Sequence, residues 1–563
     1  MSPPQHPLPI LPSPQKQRAR PRPLPNTPFR SYIPPKNRER DRAPSPTPIP
    51  PPRLLKTLTL PTPITPSVNF TYLCNQCIFL AIPPMITFCI ALAALIIGYF
   101  FYGRFVERII AYDFTKPTPA IAHPDGVDYL PLPTWKVYMI QFLNIAGLGP
   151  IFGAIMGAKF GTASYLWIVF GTIFAGAVHD FIAAMMSLAH DGESLPEIIG
   201  RYLGKRTKAI FGVFTVVLMI LVGAVFISGP ADLLAGMTPD TLDSLFWIIV
   251  IFVYYILATM LPIDKIIGRF YPIFAIALIF MAVGILLSLF IYQPQLPEMW
   301  NGFGTKYESN PIFPMMFVSI ACGAISGFHA TQSPLMARCL KDSRLGRPVF
   351  YGAMVTEGIV ALIWAAAATA FFAQNPDNVA TATGASVATT LSKEWLGTFG
   401  SILAILGIVV APITSGDTAL RSARLIVADS LHIEQKSILK RLIISIPLFL
   451  LTFGVLVYSL SDKDGFTIIW RYFAWCNQAL SVFTLWTITV FLALSRKLFV
   501  ITLIPALWMT AVCTTYLFVA PECFHLFPNS YWFEPTVGAA AALIAAVLFT
   551  LWYRKAQNSN HIA

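Results

Sequence analysis

The stretch NIAGLGPIFGAI (residues 144–155) interrupts a hydrophobic segment that otherwise reads as helix. Gly147, Gly149, Pro150 and Gly153 crowd into one short run, between WKVYMIQFL (135–143) and MGAKFG (156–161). Proline removes a backbone donor and clashes with the preceding turn, and glycine weakens a helix. In lipid an unpaired backbone group costs several kcal/mol, so irregular backbone at membrane depth must line a site or be buried in protein. The stretch therefore predicts a broken membrane helix.

Composition supports a membrane setting. Of the 563 residues, 56% are hydrophobic and 12% charged, with a mean hydropathy of +0.65. A soluble protein carries about twice that charge. The eight cysteines are scattered, and they suggest neither a disulfide framework nor a metal site. Cys74 and Cys77 form a C-x-x-C without a second pair. No cofactor is expected.

From Met85 onward thirteen hydrophobic segments follow, near 86–103, 136–158, 163–189, 208–229, 244–262, 271–292, 311–332, 349–374, 398–418, 441–460, 466–494, 499–519 and 535–553. Each is about long enough to cross a bilayer of ~30 Å. One set of alternate loops holds 22 Lys and Arg, among them Arg201, Lys205, Arg338, Lys341 and Arg496; the opposite set holds only Lys159, Lys306, Lys393 and Lys463. The positive-inside rule makes the basic loops cytoplasmic and runs the second segment from inside to outside. The sequence pI of 9.3 is thus topogenic, and nucleic acid is not needed to explain it. Residues 1–84 form a Pro/Arg-rich tail of disordered composition. The map puts this tail outside, against its eleven Lys and Arg. Translation from Met85 is the expectation that removes the conflict.

A second break resembles the first. Segment 7 carries ACGAISGFHATQSP (321–334), with Gly323, Ser326, Gly327 and Pro334. The two breaks lie five segments apart, on segments that enter from opposite sides. Paired interruptions of this kind mark transporter binding sites at mid-membrane. The expected fold is an all-α polytopic membrane protein of about 13 transmembrane helices, with a LeuT-like inverted 5+5 repeat. Residues 136–292 form the first repeat and 311–494 the second. Residues 85–135 precede them as a helix and cytoplasmic loop, and 499–563 add two C-terminal helices. Small residues also permit close helix packing, which is the bland reading of either break alone.

Segment 9 contains APITSGDTALRSAR (411–424), where Pro412, Gly416 and Asp417 stand beside Thr414, Ser415 and Thr418. Hydroxyl and carbonyl oxygens suit a sodium ion, which makes Thr414, Ser415 and Thr418 a possible sodium site. The alternative is that each hydroxyl bonds its own helix one turn back. Ionisable residues within membrane helices are functional candidates. Asp180, Glu357 and Asp417 are the candidates for proton coupling. Asp180 and Glu357 each lie about nine residues from a cytoplasmic helix end, which gives them similar depth. A static pair with Arg421 or Arg424 is the alternative. His329 follows the second break and is placed to bond a substrate anion or an open carbonyl. Asn477 and Gln478 complete the polar set in segment 11, and Arg471 is expected to snorkel or to pair with an acid of an outer loop.

Enzymatic chemistry has no support. His179 and Asp180 are neighbours that diverge by about 100° on a helix, which argues against a ready pair. GAISGFH lacks the G-x-S-x-G spacing of a nucleophile elbow, and H-E-x-x-H and Walker A motifs are missing.

Taken together, DGVDYLP (125–131), IAGLGPIFG (145–153), AGAVHDF (175–181), ACGAISGFHA (321–330), DTALRSAR (417–424) and FAWCNQ (473–478) resemble the carbon starvation protein A (CstA) family over roughly residues 104–495. The resemblance implies a bacterial inner-membrane transporter of peptides or pyruvate with proton coupling. It also implies a place in the amino acid–polyamine–organocation superfamily. ATQSPLMARCL (330–340) departs from the Ser/Thr-rich stretch of longer members at this point. The combined expectation is a secondary transporter whose substrate meets Gly147, Gly149, Pro150, Gly323, Ser326, Gly327, His329, Asn477 and Gln478. A sodium-coupled carrier and a nutrient sensor that binds without transport are the alternatives.

Overall fold

The computed structural model describes residues 85–558, apart from 127–128, 261–262, 304–310, 434, 436, 462–464 and 527–532. The tail expected over 1–84 lies outside the described residues. Among those described, the chain is helical, with one isolated bridge between Leu132 and Leu340.

The helices that position the site begin with α1 (Ile86–Ile110) and α2 (Thr134–Ile145). After the first break come a π-turn (Gly149–Gly153) and α3 (Ala154–Ala158). Helix α4 (Ala163–Phe170) passes through a π-turn (Gly171–Gly176) into α5 (Ala177–Ala189). Three long helices follow: α6 (Lys205–Ala235), α7 (Ser244–Met260) and α8 (Ile263–Tyr292). The second broken segment comprises a π-turn (Ile312–Met316), α9 (Phe317–Ser319) and α10 (His329–Ala337). The chain continues through α11 (Gly352–Gln374), α12 (Gly384–Ser430), α13 (Ile438–Ser461), α14 (Gly465–Leu494), α15 (Val500–Val519) and α16 (Phe533–Asn558).

Among the described residues, ten helices are long and apolar enough to cross a membrane, or up to eleven when the pair around residues 146–148, bent by 52°, counts as one span. Helix α7 is shorter, and the pieces of the second broken segment are shorter still. The chain is thus a multi-pass, all-helical membrane protein.

Two boundaries differ from the sequence reading. Helix α12 runs to Ser430, well past 418, and reaches back to Gly384 across a turn at Gly397 with φ 64°. A hydropathy reading stops where Asp417, Arg421 and Arg424 begin, yet all three are buried inside the protein. Protein-facing polar groups do not end a membrane helix; lipid-facing ones would.

Burial separates the centre from the rim. The apolar windows of Ala163–Ala189 and Ser343–Gln374 are each 89% buried, against 11% for Pro535–Asn558. Helix α11 carries the run ALIWAAAATA, whose small side chains let α1, α2 and α3 approach its backbone closely. Helix α12 packs on α6 and α8, α10 packs on α5, and α15 and α16 pack on each other at the edge. The two breaks meet in this centre. A Cβ on Gly149 would lie 2.2 Å from both Cβ and Sγ of Cys322, so any side chain there forces the two breaks to shift apart. A Cβ on Gly323 would sit 2.3 Å from Ala361 Cβ and 3.7 Å from Pro150 Cα.

Candidate functional site

The open backbone of the second break is answered largely by α14. Asn477 Oδ1 accepts from Phe328 N–H (2.8 Å) and from the Ser326 hydroxyl (3.0 Å), while its Nδ2 donates to the Ala321 carbonyl (2.6 Å). The Asn477 carbonyl accepts from Gly327 N–H at 3.0 Å. A Cβ on Gly327 would stand 2.5 Å from that carbonyl oxygen, so this close approach also needs glycine. Gln478 Nε2 donates to the carbonyls of Phe317 and Ile320, both at 3.3 Å. From the other side, the Thr172 hydroxyl donates to the Gly323 carbonyl at 3.0 Å. Asn477 and Gln478, expected against substrate, thus spend their amide donors on helix ends.

The first break is tighter. Ala146 N–H bonds Phe142 O, Gly147 N–H bonds Ile145 O, and the chain re-enters a helical path with Phe152 N–H on Leu148 O at 2.7 Å. Gly147 faces Phe226 and the Ser415 hydroxyl.

Beside the breaks lies a buried ionisable cluster. Asp180 Oδ1 is 2.7 Å from His179 Nδ1, and its Oδ2 is 3.0 Å from His329 Nδ1. His329 Nε2 is 3.4 Å from Glu357 Oε2. All four side chains are fully buried. Three helices supply them: α5 carries His179 and Asp180, α10 begins at His329, and α11 carries Glu357. The contact between His179 and Asp180 corrects the sequence reading. The ~100° divergence describes Cα–Cβ directions, and rotation about χ1 and χ2 swings the imidazole back to its neighbour. Two imidazoles contact Asp180, and Arg421, named in the alternative static pair, donates to the Ala258 carbonyl at 2.8 Å. His329 bonds a carboxylate and not an open carbonyl. Neither oxygen of Glu357 has a hydrogen-bond partner.

Asp417 belongs to a different cluster. Tyr271 OH contacts Asp417 Oδ2 at 3.1 Å and the Thr414 carbonyl at 3.0 Å. The hydroxyls nearby bond their own helix: Thr414 to Ala411 O (2.7 Å), Ser415 to Ala411 O (3.0 Å) and Thr418 to Ser415 O (2.9 Å). Ser415 also reaches the Leu143 carbonyl at 3.0 Å, and Thr418 Oγ1 lies 3.5 Å from Asn144 Oδ1. Helix α12 therefore touches the last turn of α2 with the residues expected there.

Space near the site is unequal. A cavity of about 140 Å³ on the Lys159 side is lined by Ser319, Trp470, Arg471, Tyr516 and Glu522, while one of about 20 Å³ lies on the Arg338 side. Arg471 Nη1 stands 3.6 Å from Glu522 Oε2 in the turn after α15, so of the two expectations for it, snorkelling or an acid partner, it has the acid. A cavity of about 410 Å³ is apolar and lies between Trp167, Phe174, Phe317 and Trp508.

Sequence reasoning missed Cys322, Gln141 and Tyr271. Gln141 Nε2 donates to Ser333 Oγ at 3.2 Å, which ties α2 to α10. The signal for Gln141 and Asn144 was present as two polar residues three apart, just before the break. Cys322 and Tyr271 carry no such signal, because each reads as an ordinary apolar position.

A polytopic protein with two facing helix breaks and a buried carboxylate–imidazole–carboxylate chain has the design of a membrane carrier site. The chain belongs to the carbon starvation protein CstA family, whose profile matches residues 84–242, 230–394 and 372–516. An uncharacterized membrane protein of Haemophilus influenzae is 41% identical over 344 residues, covering 52% of this chain and 92% of that protein. The peptide transporter CstA of Campylobacter jejuni is 28% identical over 341 residues, 48% of each chain. The pyruvate/proton symporter BtsT of Escherichia coli is 26% identical over 333 residues, 48% of this chain and 46% of that one. The match thus spans about half the length of these two transporters.

Proposed function

We propose that the chain is a secondary active transporter that imports peptides or pyruvate across the bacterial inner membrane, driven by protons. The observation that carries this reading is the buried Asp180–His329–Glu357 chain set beside both helix breaks. A carboxylate with no hydrogen-bond partner, 3.4 Å from an imidazole, is a natural resting place for a proton in a dry site. His329 passes that proton towards Asp180, and His179 steadies Asp180 from behind. The unwound runs at Gly147–Pro150 and Gly323–Gly327 receive the substrate carboxylate, with the N-terminal end of α10 supplying the favourable dipole. Asn477 and Gln478 hold that backbone open. The thirteen crossings, the inverted repeat and cytoplasmic basic loops belong to this reading. The family's peptide and pyruvate carriers support it.

A sodium-coupled carrier is the second reading. It is favoured by the Ser415 hydroxyl on the Leu143 carbonyl and by Thr418 beside Asn144, where α12 and α2 gather oxygens. Uptake of labelled pyruvate and of a labelled dipeptide into proteoliposomes, under a proton or a sodium gradient, decides between them. Accumulation under the proton gradient alone is expected. Accumulation under sodium alone moves coupling to α12, and binding without uptake makes the protein a sensor.

A further inference from the structure

We propose that Cys322, His329 and Glu357 form a binding site for a divalent transition-metal ion of the zinc class. Their ligand atoms, Sγ, an imidazole nitrogen and a carboxylate oxygen, all lie within 4.8 Å of one another, and all three side chains are buried. A tetrahedral zinc ion with bonds of ~2.0–2.3 Å needs ligand separations of ~3.3–3.8 Å, so closing the set takes a movement of about an ångström.

Both Glu357 oxygens and His329 Nε2 are buried without a hydrogen-bond partner, while Cys322 Sγ lies 3.7 Å from Ser326 Oγ. His329 is also oriented as a metal ligand is: its Nδ1 bonds Asp180 Oδ2 at 3.0 Å, which turns Nε2 towards Glu357. A carboxylate behind a ligating imidazole fixes the tautomer and the ring orientation. Asn477 Nδ2 lies 3.5 Å from Cys322 Sγ and helps to fix the position of the sulfur. One sulfur, one nitrogen and one oxygen suit zinc or cobalt and not magnesium or calcium, which take oxygen sets. Three protein ligands leave a fourth position for water or a small carboxylate. No metal-ligand spacing shows along the chain because the ligands come from the break itself, from the start of α10 and from α11.

An ion here takes the lone pairs that the coupling proton uses, so it acts as an inhibitor of the proposed carrier. The site itself does not depend on that carrier reading, because binding is read with neither gradient nor substrate. The test is titration of the purified full chain in detergent with Co²⁺, followed by optical absorption. A saturable thiolate-to-cobalt charge-transfer band at about one ion per chain is expected, and it is abolished by adding Zn²⁺. Cys322→Ser and Cys322→Ala remove the band, and Glu357→Gln removes binding. Asp180→Asn weakens binding by about 10–100-fold, as loss of an outer carboxylate does. Absence of a saturable band in the parent chain overturns the proposal. So does a band that persists in both Cys322→Ser and Glu357→Gln, each checked by gel filtration for a folded particle.

Discussion

The carboxamide of Asn477 bridges the second helix break, accepting from Phe328 N–H at 2.8 Å and donating to the Ala321 carbonyl at 2.6 Å. One side chain of α14 thereby replaces the hydrogen bonds that the broken segment gave up. Asn477→Leu leaves two buried backbone groups without partners, at ~1–3 kcal/mol each. The expected result is a loss of about 2–6 kcal/mol, read as a lower midpoint in thermal unfolding of the purified protein. A midpoint equal to that of the parent would mean that the break needs no such support.

Glu357 is expected to be indispensable for coupling. Glu357→Gln keeps the shape and removes the titratable group, so gradient-driven accumulation should fall to background while counterflow of labelled substrate continues. Undiminished accumulation would exclude Glu357 as the proton carrier.

Gly149 and Cys322 test the contact between the two breaks. A methyl group at residue 149 would fall 2.2 Å from Cys322 Cβ and Sγ, so Gly149→Ala should destabilise by about 1–3 kcal/mol through overpacking. Adding Cys322→Gly to the same chain removes the clashing atoms and should recover part of that loss. A double-mutant cycle on thermal midpoints measures the coupling, and additive effects would mean that the breaks do not touch.

Lys159 makes stability depend on pH. Burial pushes its ammonium from the ordinary value of 10.5 down to about 8. Between these values the unfolded chain binds the proton and the folded chain releases it, so stability rises with pH through that window. Below about pH 8 both states are protonated and the cost of burying the charge is felt in full. The thermal midpoint should therefore climb from pH 8 towards 10.5, and Lys159→Met should flatten that climb.

Much of this architecture was legible from residues alone. Gly149, Pro150, Gly323 and Gly327 announced the breaks because glycine and proline disrupt a helix wherever they stand. Asp180, His329 and Glu357 were visible as ionisable groups in apolar runs, and the structure places them in one chain of contacts. Their mutual geometry was not legible, because it depends on which helices pack together. The pairing of His179 with Asp180 was misjudged for a local reason, since helix geometry fixes Cβ directions and not rotamers. Asp417 was grouped with Asp180 and Glu357 by residue type, whereas packing gave it to Tyr271. Cys322 escaped notice because a lone thiol in an apolar segment looks like any small hydrophobic residue.

His329 is the first residue of α10, immediately after unwound backbone, and it joins a carboxylate on α5 to one on α11. This polar chain therefore ties three helices together where unwound backbone passes into helix. In the proposed carrier, a proton moved along it would change the attraction between those three helices at that junction. A charge shifted by a few ångströms can in this way become a change of tilt at the far end of α10.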